Sequence, residues 1–171
     1  MSVLLSALAF EFRRHKSLAD RALAMLDGDS FFARPAPHVN SAAVIVKHLA
    51  GNLSSRWTDI FTTDGDKPDR NRDAEFAIAD DTRDGLLARW EAGWSALETT
   101  ISSLSEADLR RTITIRGEPH TVLQALVRGL SHATYHVGQI LYLARLFCPE
   151  GDWLTIAPGK SQAARGRYLA S

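Results

Sequence analysis

Between Leu130 and Ala144 the chain carries no Asp, Glu, Lys or Arg. This stretch lies inside a longer run, Thr121 to Phe147, where Leu123, Leu126, Leu130, Val137 and Leu141 recur at three-, four- and seven-residue steps. Those steps mark one face of a helix. A helix uncharged over that length is covered on most sides, because little of it prefers water. The remaining elements must therefore pack around it. They too read as helices.

Residues 2–27 form the first predicted helix, with Leu4, Leu8, Phe12, Leu18, Ala22, Met25 and Leu26 on its apolar side and Asp27-Gly28 as its end. Arg34 to His38, with two prolines, is a loop. Asn40 or Ser41 can cap a second helix running to about Phe61. A polar stretch, Thr62 to Asp81, follows as a long connection, and its acidic residues read as a solvated loop. Its aspartates lack the calcium-hand spacing. Residues 82–103 form a third helix carrying Leu86, Trp90, Trp94, Leu97 and Ile101. The alternating Thr112-Ile113-Thr114-Ile115 before Arg116-Gly117-Glu118 predicts a short β-hairpin. Thr121 with Gln124 forms a capping-box pattern that opens the fourth long helix. From Cys148 onward the tail is irregular. Four long amphipathic helices in one chain predict an all-α, antiparallel four-helix bundle spanning residues 1–171 as a single domain.

Composition narrows the function. Lys+Arg and Asp+Glu both number 20, for a formal net charge of zero. That argues against a nucleic-acid or anionic-membrane partner, although a local basic patch is open to the chain, for instance the small one from Arg110 to Arg116. The single cysteine, Cys148, builds no intrachain disulfide, which suits a reducing compartment. It sits at a helix end, where the carbonyl dipoles disfavour a thiolate. No apolar run reaches the roughly 18–20 residues that a membrane-spanning helix needs, and the N-terminus lacks the features of a signal peptide. The expected location is cytoplasmic. Gly159-Lys160-Ser161 lacks the upstream glycine of a phosphate-binding loop.

The chemistry concentrates at His132 and His136, four apart and so on one helical face. Residue 133 is Ala, so the zinc-protease motif with Glu after the first histidine is absent. Ala125, Gly129, His132, His136 and Gln139 share one stripe of the last helix. A buried imidazole needs a partner, since an unsatisfied buried polar group costs about 1–3 kcal/mol. A shared metal ion satisfies both rings; hydrogen bonds within the core are the competing solution. The best third ligand is His48, in the middle of the second helix on a line with Asn52, Ser55 and Asp59. Three imidazoles with an open position are a catalytic rather than structural type of site. Asn52 and Gln139 are candidates for supporting the ligands or touching a substrate. His120, at the start of the last helix, is a candidate for the mouth of the bundle. His15 and His38 read as a surface and a loop histidine. The four tryptophans, 57, 90, 94 and 153, read as core or interface, and a helix face bearing Trp90 or Trp94 as a possible dimer contact.

Several blocks resemble a known family. Val46–Asp59 (VKHLAGNLSSRWTD), Thr62–Pro68 (TTDGDKP), Arg72–Phe76 (RDAEF), Arg116–Val122 (RGEPHTV), Leu130–Ile140 (LSHATYHVGQI) and Trp153–Ser161 (WLTIAPGKS) together resemble the DinB-like, YfiT-type superfamily. The resemblance covers nearly the whole chain. It implies a four-helix bundle, commonly a homodimer, with a divalent metal ion, often nickel or zinc, on three histidines. By residue these are His48, His132 and His136. Relatives of that type include thiol-dependent S-transferases and an isomerase, which implies transfer of a low-molecular-weight thiol in stress or detoxification, or a metal-dependent hydrolase as a variant. The alternative is a non-catalytic, dimer-forming metal-binding stress protein.

Overall fold

The computed structural model describes residues 2–151 and 153–166. Residues 167–171 of the expected irregular tail lie outside it. Four long helices and one single turn account for most of the chain. Helix α1 (Val3–Met25) starts on the Ser2 side chain, which accepts from the Leu5 N–H at 3.4 Å. Asp27, read from sequence as a terminator, instead caps a single turn, α2 (Gly28–Phe32), by accepting from the Ser30 N–H at 2.8 Å. That turn drives Phe31 into the core. Of the two candidate caps for the second long helix, Ser41 is the one used, and α3 spans Ala42–Trp57. Helix α4 (Arg83–Ser103) starts on Thr82. Helix α5 (Val122–Phe147) opens with the expected capping box, both Thr121–Gln124 bonds being present.

The fold is an all-α bundle. Helix α3 packs on α4 and α1 on α5, and narrower contacts of α3 with α5 and α1 with α4 close the ring. The core is one cluster drawn from all four long helices and the hairpin. Trp57, Trp90 and Trp94 belong to it, at 1%, 1% and 4% exposure, so α4 presents neither Trp90 nor Trp94 to a second copy. Trp153 is exposed, beneath the Arg145 guanidinium. Among the described residues, no helix is long and apolar enough to cross a membrane.

Helix α3 stops at Trp57 rather than near Phe61, and its end has a specific cause. The last carbonyls of a helix lack partners and favour a cation. The Lys67 ammonium reaches back to donate to the carbonyls of Ser55, Thr58 and Asp64 at 2.8–2.9 Å. Thr58 turns extended and Asp59 adopts a positive φ of 51°, which ends the helical path.

The acidic stretch 62–81 is likewise a built element, not a solvated connection. Strands β1 (Thr112–Ile115) and β2 (Glu118–Thr121) pair antiparallel, Thr112 opposite Thr121. Ile113 and Ile115 point into the core. Their two-residue turn puts Arg116 and Gly117 at φ 55° and 75°, the left-handed geometry that two-residue hairpins prefer. For Arg116 that conformation costs energy. The Asp64 carboxylate offsets it, accepting from both turn amides, Arg116 N–H and Gly117 N–H, at 2.8 Å each. A helical 3₁₀ turn, Asp73–Phe76, then buries Glu75 against α3.

Two glycines of α5 test the packing in opposite senses. A Cβ at Gly129 would come within 2.9 Å of the buried Trp57 ring, whereas one at Gly138 meets nothing within 4 Å. Gly129→Ala should therefore destabilise the protein by about 1–3 kcal/mol through overpacking. Gly138→Ala should stabilise it by roughly 0.5–1 kcal/mol, the usual gain from removing a mid-helix glycine. Urea unfolding of the two variants measures both; a Gly129→Ala variant that is not destabilised would mean that Trp57 yields freely and the α3–α5 contact is loose.

Candidate metal centre

The functional geometry rests on two helices. His48 sits on α3 and is 4% exposed; His136 on α5 is 8% exposed; His132, one turn before it, is half-buried. Helical spacing puts His132 and His136 on one face, and the α3–α5 contact turns that face toward His48. One ring nitrogen from each falls within 4.8 Å of the others. The Nε2 atoms of His48 and His132 are 3.3 Å apart. With metal–nitrogen bonds of about 2.0–2.1 Å, the edge of a tetrahedral site is roughly 3.3–3.4 Å, so this pair already has ligand spacing.

The opposite ring nitrogens decide which atoms are offered. Glu75 accepts from His48 Nδ1 at 2.8 Å, and Gln139 Oε1 accepts from His136 Nδ1 at 2.8 Å. With the proton held at Nδ1, each ring presents an Nε2 lone pair to the centre. Burial, followed by the charges of His136 and His48, pushes His132 down to about 3. Burial, against the bond to Gln139, pushes His136 down to about 4. Both rings are therefore neutral lone-pair donors at pH 7. His132 Nδ1 is buried without a hydrogen-bond partner. That nitrogen is the one opposite the His48 pair, so it is the convergence of the neutral imidazole rings, not the orphan atom, that makes a donor set suited to a cation.

Glu75 is held in turn by Arg70, whose Nε and Nη2 donate to its two oxygens at 2.8 and 2.9 Å. Burial opposes ionisation of Glu75, but the hydrogen bonds from His48 and Arg70 outweigh it and keep its carboxyl below the usual range. Gly51 on α3 makes the room, since a Cβ there would overlap this carboxylate.

A cleft of about 320 Å³ opens beside the histidines, a size that admits a small molecule. Asn52 lines it; so do Phe76 and Tyr135, which stack near the His48 and His136 rings at 4.8 and 4.4 Å. Arg56 lies one turn beyond Asn52 and is 7% exposed. Burial, then the nearby Arg128 and Arg70, push its guanidinium down to about 10. A larger open groove of about 570 Å³ lies elsewhere along α3, where Lys47 and Arg89 are both paired with Asp81.

Other expected residues fall outside this cleft. Ser55 serves the loop, donating to the Gly65 carbonyl and accepting from Lys67 N–H, and Asp59 lies past the helix end. His120 sits on β2, where its Nε2 accepts from Arg128 at 3.1 Å; it touches the cleft only through that arginine. His15 bonds the Glu11 carbonyl, and Cys148 donates to the Met25 carbonyl. Sequence reasoning missed Glu75, Arg56, Arg70 and Arg128. Arg56 is legible as His48 plus two helical turns, and Arg128 as His132 minus one. Glu75 and Arg70 come from a loop with no periodicity to read.

Comparison with known proteins agrees with the fold. The crystal structure of a conserved protein from Enterococcus faecalis matches with a TM-score of 0.63 at 21% identity, over 85% of this chain and 97% of that one. That degree of identity speaks for the fold alone. No curated protein is significantly similar. A family model described as a protein of unknown function, DUF1572, matches residues 2–161, and the chain belongs to that family.

Proposed function

We propose that this protein is a metal-dependent enzyme in which His48, His132 and His136 hold one divalent ion, nickel or zinc, beside a substrate cleft. The observation that carries the reading is the pair of locked tautomers: Glu75 and Gln139 each take an Nδ1 proton, so the Nε2 lone pairs of His48 and His136 face a common centre. Such outer hydrogen bonds are the usual support of ligating histidines. The resemblance to the DinB-like, YfiT-type superfamily favours the same three residues. Bound there, the ion supplies Lewis acidity, favouring the thiolate of a substrate thiol or polarising a substrate oxygen.

The chain's own residues do the rest. Glu75, anchored by Arg70, fixes the His48 ring and its proton. Gln139 does the same for His136. Phe76 and Tyr135 supply apolar walls that limit water, and Asn52 offers an amide to a substrate at the cleft. A low-molecular-weight thiol is the proposed substrate, transferred to an electrophile, with hydrolysis as the variant chemistry. Action in the cytoplasm as a homodimer, which the resemblance implies, is part of the same proposal.

Elemental analysis should find close to one nickel or zinc per chain, lost in His48→Ala, His132→Ala and His136→Ala while far-ultraviolet circular dichroism is retained. Metal-free wild type after reconstitution, or metal kept by all three variants, would leave the histidines as core residues. Turnover of thiol substrates abolished by chelation separates an enzyme from a metal-binding stress protein without catalysis. The second expectation concerns support. Glu75→Gln should weaken metal affinity by about 10–100-fold, the usual effect of losing a carboxylate behind a ligating histidine. Competition against a chromogenic chelator reads this out, and unchanged affinity would mean that Glu75 is only a structural partner of Arg70.

A further inference from the structure

Five arginines, Arg56, Arg70, Arg72, Arg116 and Arg128, line the cleft that opens on the three histidines, and among the described residues no Asp or Glu lines it with them. The protein as a whole has zero formal net charge, so this concentration does not reflect a basic chain. Its members come from α3, the 62–81 loop, the hairpin turn and α5. Tertiary structure gathers them.

Two carboxylates reach the ring. Glu75 is taken up by Arg70, and Asp66 is shared between Arg70 at 3.1 Å and Arg116 at 2.8 Å. Arg56, Arg72 and Arg128 have no carboxylate partner among the described residues. Arg72 lies over the Phe76 ring, and Arg128 spends one N–H on His120. Arg56 is the sharpest case: at 7% exposure it makes no hydrogen bond or ion pair with any described residue, and its buried Nε has no partner at all. A buried, unpaired charge among like charges is costly. Solubility does not explain it, because a solubilising arginine is exposed. A guanidinium fork matches the two oxygens of a carboxylate or phosphate.

We infer that the cleft takes a small anionic molecule whose carboxylate or phosphate group is bound by Arg56 and Arg128, with Arg72 and Arg116 at the rim, while the remainder of the molecule reaches the histidines. This rests on the proposed reading of the histidines as the reacting centre, and it narrows the substrate class to oxyanion-bearing compounds, against neutral or cationic ones.

Calorimetric titration of inorganic phosphate and of malonate, into both metal-free and metal-loaded protein, tests the inference. At least one probe should bind saturably, one per chain, in both forms. Arg56→Gln and Arg128→Gln should each weaken that binding by about tenfold or more, as expected for loss of a charged hydrogen bond. Arg56→Lys, which keeps the charge but not the fork, should fall between wild type and Arg56→Gln, and Arg13→Gln, on another face of the bundle, should change nothing. Phosphate binding alone assigns a phosphoryl group, malonate alone a carboxylate, and both a general oxyanion site. Absence of saturable binding by either probe, or binding equal in wild type and both glutamine variants, would overturn the inference. If Arg56→Gln fails to fold by circular dichroism, the exposed Arg128 decides alone. Because the metal-free protein is titrated too, loss of the metal reading and loss of the anion subsite are separate results.

Discussion

Glu75 is the group on which the site's geometry depends. Its carboxylate receives His48 Nδ1 and two nitrogens of Arg70, all at 2.8–2.9 Å and away from solvent. Charge-assisted bonds of this kind contribute about 1.5–3 kcal/mol each, and removing one partner of a buried pair costs more, about 3–5 kcal/mol. The arrangement continues outward. Arg70 bonds Asp66, Asp66 bonds Arg116, and Asp64 accepts from the amides of Arg116 and Gly117 at the hairpin turn. A connected set of hydrogen bonds and ion pairs thus runs from an imidazole in the bundle core to a surface hairpin. It explains why the long connection is ordered, why Gly51 has no side chain, and why a non-glycine residue tolerates positive φ at 116.

The parts of this design that obey a period were legible in the sequence. The capping box at Thr121 and Gln124, the stripe holding His132, His136 and Gln139, and the hairpin all stand where spacing placed them. The uncharged helix, however, is covered on one face rather than on most sides, with Tyr135, Tyr142 and Leu146 exposed on the other. His48 was found because it lies mid-helix among apolar neighbours. What escaped was contributed by irregular backbone. Loop 62–81 looks like a polar spacer because its side chains are charged, yet its charges are spent internally: Lys67 on the end of α3, Asp64 on the turn, Arg70 on Glu75. Composition reports charge, not whether that charge is paired. The same limit misplaced the end of α3, which is set by Lys67 folding back from the following loop rather than by any breaker at the helix end.

The site also combines two electrostatic demands that would conflict if they shared the same atoms. The histidines must stay neutral to donate lone pairs, and burial keeps His132 and His136 so, with their pKa values down to about 3 and 4. The arginines beside them stay cationic, since even Arg56 falls only to about 10. The cleft thus sets neutral donors beside fixed positive charges. A cation among the histidines would raise the positive potential further, and the anionic group inferred for Arg56 and Arg128 would offset it. The two halves therefore support each other: each makes occupation of the other less costly.

Helix periodicity explains how so few residues achieve this. On α3, His48, Asn52 and Arg56 are successive fourth residues; on α5, Arg128, His132 and His136 are the same. Each helix lines the cleft with a single stripe about two turns long. The stripes run through the helices in opposite chemical order, since the arginine follows the histidine on α3 and precedes it on α5. The two helices run antiparallel, Trp57 lying against Gly129 and the His48 ring against that of His136, so this opposite order puts Arg56 beside Arg128 and histidine beside histidine. The Arg56–Arg128 end of the cleft is then separated from the three rings by construction, so the inferred molecule would bind in one orientation, its anionic group toward those two arginines and its other end toward the histidines.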